Sequence, residues 1–252
     1  MDKKRSLIFR IVLFFSLILN IGLGIFTIRT MNWNSNVYPC ILAEKDKLAD
    51  ENKKMKQAFL IAYRTKIDVF MAVPNDTNDI VFLGNSLTAN FPVTELFNDT
   101  RIRNREINGD GIAQILQRLN EVTEGKPKKI FIEIGINDIT NSQPMDSIKK
   151  NYSLLIQRIR EESPFTVIYL QSLFPTSYPV DGTPGSAIGN IKLLNTYLQQ
   201  IADNKQIKYI NLFDTFYYEK GLNPKYDCGD QLHLNGAGYL AWRDLIKDYV
   251  NE

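Results

Sequence analysis

Residues 79–88, Asp-Ile-Val-Phe-Leu-Gly-Asn-Ser-Leu-Thr, decide the fold of this 252-residue chain. Four consecutive apolar residues, 80–83, are followed at once by Gly84-Asn85-Ser86. A short apolar run that ends in turn-forming residues is typical of a buried β-strand. The segment therefore predicts an interior strand that ends in a tight turn and presents a serine hydroxyl just beyond it.

The rest of the chain repeats this pattern as strands that alternate with helices. Apolar runs predict strands at 129–134, 166–170 and 207–213, and helical patterns occupy 113–122, 147–162, 188–203 and 237–250. Such alternation predicts a parallel sheet with helices on both faces. Ligands bind these sheets beyond the carboxyl ends of the strands. Residues 172–189, rich in Pro, Gly and Ser, predict a long loop near that edge.

Side chains suited to nucleophilic catalysis follow the ends of these segments. Ser86 follows the first strand, Asn137 the next, and Asp230 precedes His233, the only histidine in the sequence. A serine hydroxyl needs a base to take its proton, and the pKa of histidine suits that role. An acid three residues earlier can accept the other ring N–H. Each feature alone is more often a turn, a loop cap or a structural histidine, but their order favours a catalytic site.

Four short segments resemble, in order, the sequence blocks of the SGNH, or GDSL-type, hydrolase family. Residues 84–88 resemble the first block, 104–110 the second, 135–138 the third and 230–233 the last. The resemblance extends from about residue 79 to the C-terminal helix. The expected fold is α/β: a three-layer αβα, flavodoxin-like sandwich with a central, mostly parallel five-stranded sheet.

The resemblance also implies roles for individual residues. Ser86 is the expected nucleophile, His233 the general base, and Asp230 the acid that orients the imidazole ring. The backbone N–H groups of Ser86 and Gly109, with the side-chain amide of Asn137, form the expected oxyanion hole. No metal or organic cofactor is expected.

Two positions depart from the family pattern. Asn85 stands where the family often has Asp, at a position that is not catalytic, and Glu106 stands where a glycine is common. Glu106 is expected to change the backbone path near Gly109 or the lining of the pocket. Asp227 competes with Asp230 as the partner acid, and the spacing favours Asp230.

The implied reaction is hydrolysis of a carboxylic ester through an acyl-enzyme. Removal of a short acyl group such as acetyl from a glycan is the favoured hypothesis. A lysophospholipase, another lipid esterase resembling platelet-activating-factor acetylhydrolase, and a thioesterase are alternatives. A binding protein on an inactive scaffold is a further alternative, which the complete residue set argues against. A nucleotide- or flavin-binding domain is disfavoured because the first turn lacks Gly-x-Gly-x-x-Gly.

Residues 1–29 predict an N-terminal membrane anchor. Lys3, Lys4 and Arg5 precede an apolar run at 11–28, which as a helix roughly spans ~30 Å of hydrocarbon. The basic flank predicts a cytoplasmic N-terminus and a catalytic domain outside the cytoplasm, periplasmic or extracellular. An uncleaved anchor is favoured over secretion after signal cleavage.

Residues 30–76 are expected to form a linker and helical stalk, and residues 77–252 the hydrolase domain. Asn, Ser and Pro predict an irregular segment at 30–39, and a charged helical pattern covers 41–70. Apolar residues at seven-residue spacing give a weak coiled-coil pattern. A helix on the domain surface is slightly favoured over a dimerising stalk, and the oligomeric state stays open.

The net charge and the cysteine count limit the classes of partner. A formal net charge of +2 with short basic runs does not indicate a nucleic-acid surface. The expected partners are an ester substrate and, through the N-terminal helix, a membrane. Cys40 and Cys228 with one histidine are too few ligands for a structural zinc site. A disulfide between them suits an exported domain but is not favoured.

Overall fold

The computed structural model describes residues 33–180 and 182–252, with side chains described from residue 45 onward. Five parallel strands form the central sheet: β1 (Ile80–Gly84), β2 (Ile102–Asn104), β3 (Lys129–Glu133), β4 (Val167–Gln171) and β5 (Ile207–Ile210). Their order across the sheet is β2-β1-β3-β4-β5, the order of flavodoxin-like folds. The predicted α/β fold with a parallel five-stranded sheet is confirmed.

Helices connect the strands and cover the sheet. In the described part of the chain they are α1 (Trp33–Ala72), α2 (Ser86–Ala89), α3 (Val93–Phe97), α4 (Ile112–Arg118), α5 (Asn120–Thr123), α6 (Ile136–Thr140), α7 (Met145–Glu162), α8 (Ile188–Ile201), α9 (Phe213–Phe216) and α10 (Gly236–Asn251). A small antiparallel hairpin of β6 (Tyr217–Tyr218) and β7 (Gly221–Leu222) follows α9. Helices α4 and α8 pack against α7, and α10 packs against α3.

A row of aromatic rings crosses the middle of the sheet. Phe82, Phe131 and Tyr169 occupy paired register positions on β1, β3 and β4. Their rings stack at centroid distances of 4.9 and 4.4 Å. Trp242 of α10 is fully buried, and its indole N–H donates to Gln171 Oε1 at 2.7 Å. Burial of these large rings removes much apolar surface from water, so they hold three strands and α10 together.

Three elements differ from the sequence-based predictions. The short strand β2 was not predicted, because its sequence Ile-Arg-Asn contains no apolar run. Strand β5 ends at Ile210, and the apolar residues up to Phe213 lead instead into α9. The irregular linker predicted at 30–39 is wrong for residues 33–39, which belong to α1. One proline removes a single i→i−4 hydrogen bond, and the 40-residue helix continues past it.

The chain divides into two compact units, residues 1–62 and residues 63–252. Leu48 and Met55 of the first unit are exposed. The second unit contains the strands and also the last turns of α1. The division therefore falls inside α1, whereas the hydrolase domain was predicted from the sequence to start at residue 77.

The proposed anchor at 1–29 lies outside the described residues. Among the helices that the structure describes, none is both long enough and apolar enough to cross a bilayer. Cys228 has a free, exposed thiol, and the side chain of Cys40 lies outside the described part of the chain.

A buried carboxyl group ends β3. Glu133 is fully buried, and among the described residues neither of its side-chain oxygens has a hydrogen-bond partner. Burial raises the pKa of Glu133 to about 8, because an ionised carboxylate is poorly solvated inside a protein. Glu133 is therefore mainly a neutral acid at neutral pH.

Replacement of Glu133 by Gln is expected to flatten the pH dependence of stability. Between the ordinary pKa of 4.5 and the raised folded value, the native state binds more protons than the unfolded state. Stability therefore falls as pH rises through this window. The contribution of Glu133 between about pH 5 and pH 8 is on the order of 4 kcal/mol. Urea unfolding of wild type and Glu133→Gln at both pH values measures it.

Glu124→Gln is the matched control, because Glu124 is exposed. Its free energy of unfolding is expected to follow the wild type at both pH values. An equal loss of stability in wild type and Glu133→Gln would contradict a neutral Glu133.

Candidate active site

The serine turn begins where β1 leaves the sheet, and Ser86 is the first residue of the short helix α2. Asn85 is fully buried, and its side-chain oxygen accepts the N–H of Leu87 at 3.0 Å. A carboxamide caps a helix as well as a carboxylate does, and it buries no charge. The hydroxyl of Tyr239 donates to the carbonyl of Leu87 at 3.1 Å. Asn85 therefore replaces the aspartate of the family pattern without loss of the cap.

A hydrogen-bonded relay joins Ser86, His233 and Asp230. Ser86 Oγ lies 2.9 Å from Nε2 of His233, and Nδ1 of the same ring lies 2.6 Å from Asp230 Oδ2. The N–H groups of Leu232 and His233 donate to Asp230 Oδ1 at 3.0 and 2.8 Å. Partial burial raises the pKa of Asp230, but these bonds and the imidazole outweigh burial and hold the pKa well below its usual value. Asp230 therefore stays ionised beside the ring.

Asp227 contacts the backbone rather than the imidazole. Its Oδ1 accepts the N–H groups of Gly229 and Gln231 at 2.8 and 3.0 Å. Ligand atoms of Asp227, Cys228 and Asp230 lie within 4.8 Å of one another. Both carboxylates already accept hydrogen bonds from this loop, and exposed acidic groups of this kind are common without a metal, so the cluster does not identify a metal site.

The loop that follows Asp230 is fixed by a neighbouring loop. Gln231 has a φ of 68°, a left-handed conformation that is uncommon outside glycine. Its carbonyl accepts the N–H groups of Ser177 and Tyr178 at 3.0 and 3.2 Å and the hydroxyl of Thr176 at 2.6 Å. The long loop before α8 therefore supports the turn between the acid and the histidine.

The pairing of β1 with β3 brings the predicted site residues Ser86 and Asn137 to the same edge of the sheet. Gly84 pairs with Glu133, so the segments that carry Ser86 and Asn137 leave the sheet side by side. The strands are so close that a Cβ on Gly84 would lie 2.6 Å from the carbonyl oxygen of Glu133. Asn137 Nδ2 donates to the carbonyl of Asp110 at 2.8 Å. The amide of Asn137 is therefore oriented by the loop that contains Gly109.

Gly109 occupies an exposed tight turn after β2. Its φ is 82°, a value that favours glycine. The N–H of Asp110 donates to the carbonyl of Ile107 at 3.2 Å, and the N–H of Ile107 donates to the carbonyl of Gly84 at 3.4 Å. These bonds join the turn at Gly109 to the strand that leads to Ser86.

Gly109 and Asn137 line the same cleft, which has a volume of about 180 Å³. Most of its other polar lining consists of carboxamides and a hydroxyl, from Gln114, Asn141, Gln143, Ser147 and Asn151. Such groups donate and accept hydrogen bonds without carrying charge. Asp138, whose carboxyl oxygens accept the N–H of Ile112, also lines the cleft. The cleft therefore suits a small polar group that donates and accepts hydrogen bonds.

Glu106 is not among the residues that line this cleft. Its side chain is buried and forms an ion pair with Lys66 of α1, whose Nζ also donates to the carbonyl of Glu106 at 3.3 Å. Burial raises the pKa of Glu106, and the bond from Lys66 opposes that rise. The predicted change of the pocket lining by Glu106 is not seen at this cleft. The carboxylate of Glu106 instead pairs with Lys66.

Lys66 and the contact between Thr176 and Gln231 were not predicted from the sequence. Lys66 is one lysine among many in a charged helix, so its residue type carries no signal. The available signal was Glu106 itself, because a glutamate beside apolar Ile107 requires a partner if it is buried. The Gln231 contact runs through a backbone carbonyl, which no side-chain pattern predicts.

The arrangement provides the groups that acyl transfer needs. A hydroxyl lies within hydrogen-bond distance of an imidazole, and that ring contacts an ionised carboxylate. Backbone and amide N–H donors lie at the same edge of the sheet. Such a set supports proton transfer from the hydroxyl and stabilisation of a developing negative charge.

Comparison with known proteins finds similar chains among esterases and lipases. The chain is 24% identical over 148 residues to a multidomain esterase of Ruminococcus flavefaciens, a match that covers 56% of this chain and 18% of that protein. A Streptococcus pneumonia structure named for platelet activating factor is 27% identical, with a TM-score of 0.70, and the match covers 80% of this chain and 99% of that one. A GDSL-like lipase structure from Bacteroides thetaiotaomicron shares the fold at 23% identity and a TM-score of 0.66, over 75% of this chain and 97% of that one.

Residues 82–241 match the model of the GDSL-like lipase/acylhydrolase family. The matched segment contains every residue of the relay and both residues of the cleft that were predicted as oxyanion donors. The matched segment is more than half of the chain. The chain therefore belongs to the GDSL-like lipase/acylhydrolase family of ester-hydrolysing enzymes.

Proposed function

We propose that this protein is a serine esterase in which Ser86 attacks a carboxylic ester. The observation that carries the proposal is the relay from Ser86 Oγ to His233 Nε2, at 2.9 Å, and from His233 Nδ1 to Asp230 Oδ2, at 2.6 Å. A base within this distance of the hydroxyl is what a serine nucleophile requires.

The first half-reaction forms an acyl-enzyme. Ser86 Oγ bonds to the ester carbonyl carbon while His233 Nε2 accepts the hydroxyl proton. The carbonyl oxygen becomes an oxyanion, which accepts the backbone N–H groups of Ser86 and Gly109 and the amide of Asn137. When the carbon–oxygen bond of the ester breaks, the imidazolium donates its proton to the leaving alcohol. Asp230 stays ionised and stabilises the imidazolium.

The second half-reaction releases the acid. His233 accepts a proton from water, whose oxygen bonds to the acyl carbon. The tetrahedral intermediate then expels Ser86 Oγ, which recovers its proton from the imidazolium. The products are the free enzyme and one carboxylic acid.

Removal of the relay is expected to abolish hydrolysis of p-nitrophenyl acetate. Ser86→Ala and His233→Ala are each expected to lower kcat by about 10⁴-fold or more, because the nucleophile or its base is lost. Labelling by a serine-directed phosphonate is expected in the wild type and not in Ser86→Ala. Steady-state kinetics and mass spectrometry of the intact protein measure the two effects.

Ser153→Ala is the matched control, because Ser153 is an exposed serine of α7. It is expected to keep wild-type kcat and phosphonate labelling. Full activity in Ser86→Ala would overturn the assignment of the nucleophile.

The cleft beside Gly109 and Asn137 supports a small acyl ester of a glycan as the substrate. Its volume of about 180 Å³ and its mostly polar lining match a small polar group. Its carboxamides match the hydroxyl groups of a sugar, since both partners donate and accept hydrogen bonds. A long-chain lipid ester would leave these polar groups without partners.

Replacement of Asn141 or Asn151 by Ala is expected to raise KM for an acetylated oligosaccharide by about 5- to 20-fold, which corresponds to one lost hydrogen bond. The KM for p-nitrophenyl acetate is expected to stay near wild type, because that ester has no sugar. Gln199→Ala on α8 is the control, because its amide is exposed outside this cleft. Release of acetate from the oligosaccharide measures the effect on sugar binding. Hydrolysis of p-nitrophenyl esters of increasing chain length measures the preference for the acyl chain. Higher kcat/KM on long-chain than on acetyl esters would favour the lipid or thioester alternatives.

We also propose that residues 1–29 anchor the enzyme in a membrane with its catalytic domain outside the cytoplasm. The basic flank and the apolar run at 11–28 support this. The full chain is expected to stay with membranes after a high-salt wash and to keep its original N-terminus. Recovery in the soluble fraction, with a new N-terminus after residue 28, would support secretion instead. Fractionation and N-terminal sequencing measure both.

A further inference from the structure

The turn that carries Gly109 is flanked by two buried carboxylates, Glu106 and Asp110. Burial raises the pKa of both groups, and cationic neighbours oppose that rise. Buried carboxylates are unfavourable unless they are paired. The backbone position of Gly109 therefore depends on how both flanking side chains are paired.

Residues of α1 contact both sides of this turn. Lys66 forms an ion pair with Glu106 and also bonds to its carbonyl at 3.3 Å. Tyr63 lies beside Asp110 and Arg118, and burial together with the Asp110 carboxylate raises the pKa of its hydroxyl to about 12. Residues three apart lie on one face of a helix, so this face of α1 holds the turn at its entry and at its exit.

The carboxylates around this turn are paired with cations. The half-exposed Lys66 pairs with Glu106. Arg118 pairs with Asp110 and Glu121, and Arg105 also contacts Glu121. Removal of Lys66 leaves one excess negative charge beside the turn. In a low-dielectric site, such a charge opposes the formation of an oxyanion nearby.

Arg105 ties the end of α1 to the start of the same loop. Its guanidinium donates to the carbonyl of Phe70 at 3.2 Å, to the carbonyl of Val73, and to Asn75 Oδ1 at 2.9 Å. The guanidinium also lies over the ring of Phe70, at 4.9 Å from its centroid. The last turns of α1 are therefore part of the packed domain and not a free stalk.

We propose that Lys66 and Tyr63 are positioning residues for the oxyanion hole. From a helix outside the family-matched segment, they hold the turn that carries Gly109 and interact with the buried carboxylates on either side of it. That segment begins at residue 82, so both side chains come from an element that precedes it. The inference rests on the proposed role of Gly109 and Asn137. Neither Lys66 nor Tyr63 touches the ester; each acts through the turn that holds Gly109.

The test uses the full chain with Lys66→Met, which keeps the length of the side chain and removes its charge. The kcat for p-nitrophenyl acetate is expected to fall by about 10- to 100-fold, the range of a misplaced or weakened oxyanion donor. The KM is expected to change by less than about 3-fold, because the loss falls on the transition state. Phosphonate titration counts the active molecules, so a partly unfolded sample does not imitate a loss of kcat.

Charge rescue separates positioning from packing. In Lys66→Met/Glu106→Gln the unpaired carboxylate is gone, and kcat is expected to recover to within about 3-fold of wild type. Tyr63→Phe, a milder change, is expected to lower kcat by about 3- to 10-fold. Lys54→Met is the control, because Lys54 is an exposed lysine of α1 paired with Asp50, and it is expected to behave as wild type.

Asn137→Ala, measured in parallel, separates failure of the oxyanion-hole assignment from failure of the proposed role of α1. If Asn137→Ala keeps wild-type kcat, the assigned oxyanion hole falls and this inference falls with it. If Asn137→Ala loses activity while Lys66→Met and Tyr63→Phe keep wild-type kcat per titrated site, only the role of α1 is overturned. A loss of kcat in Lys66→Met that the second substitution does not restore also overturns the charge argument.

Discussion

The parallel register of β1 and β3 is the constraint on which the site depends. Because Gly84 lies opposite Glu133, the turns after these strands leave the sheet side by side, and Ser86 and Asn137 meet at one edge. A shift of the register by one residue would turn every side chain of the strand to the other face. The stacking of Phe82 on Phe131 of β3 resists such a shift. The same register thus sets both the core packing and the position of the candidate nucleophile.

Two carboxyl groups near this edge show how the local environment shifts the pKa values of similar groups in opposite directions. Glu133 has no hydrogen-bond donor among the described residues, so burial alone acts and favours its neutral form. Asp230 accepts backbone N–H bonds and the imidazole, so its charged form is favoured despite partial burial. Asp230, which contacts His233, is therefore negatively charged, whereas Glu133 at the end of β3 is mainly neutral. This arrangement suits proton transfer at the imidazole ring.

The sequence predicted the sheet and placed the relay residues at its edge because both depend on local patterns. Apolar runs that end in turn residues identify β1, and residue type with chain order identifies Ser86 and His233. Strand β2 could not be predicted in this way, because its three residues pair with β1 through backbone groups and carry little apolar surface. The partner of Glu106 was equally hidden, since Lys66 lies in a helix whose exposed lysines give the same pattern.

The proposed role of α1 rests on the pairing of Lys66 with Glu106 rather than on the family motif. The matched segment contains the hydroxyl, the base, the acid and the expected oxyanion donors, yet it leaves Glu106 without its lysine. A buried carboxylate that lacks its cation either remains as an uncompensated charge or moves toward water. Either response changes the backbone that leads to Gly109 or the field around it. The last turns of the helix that precedes the hydrolase segment therefore belong to the domain that contains the proposed oxyanion hole. If that proposal is correct, displacement of these turns would change the chemistry without any contact with the substrate.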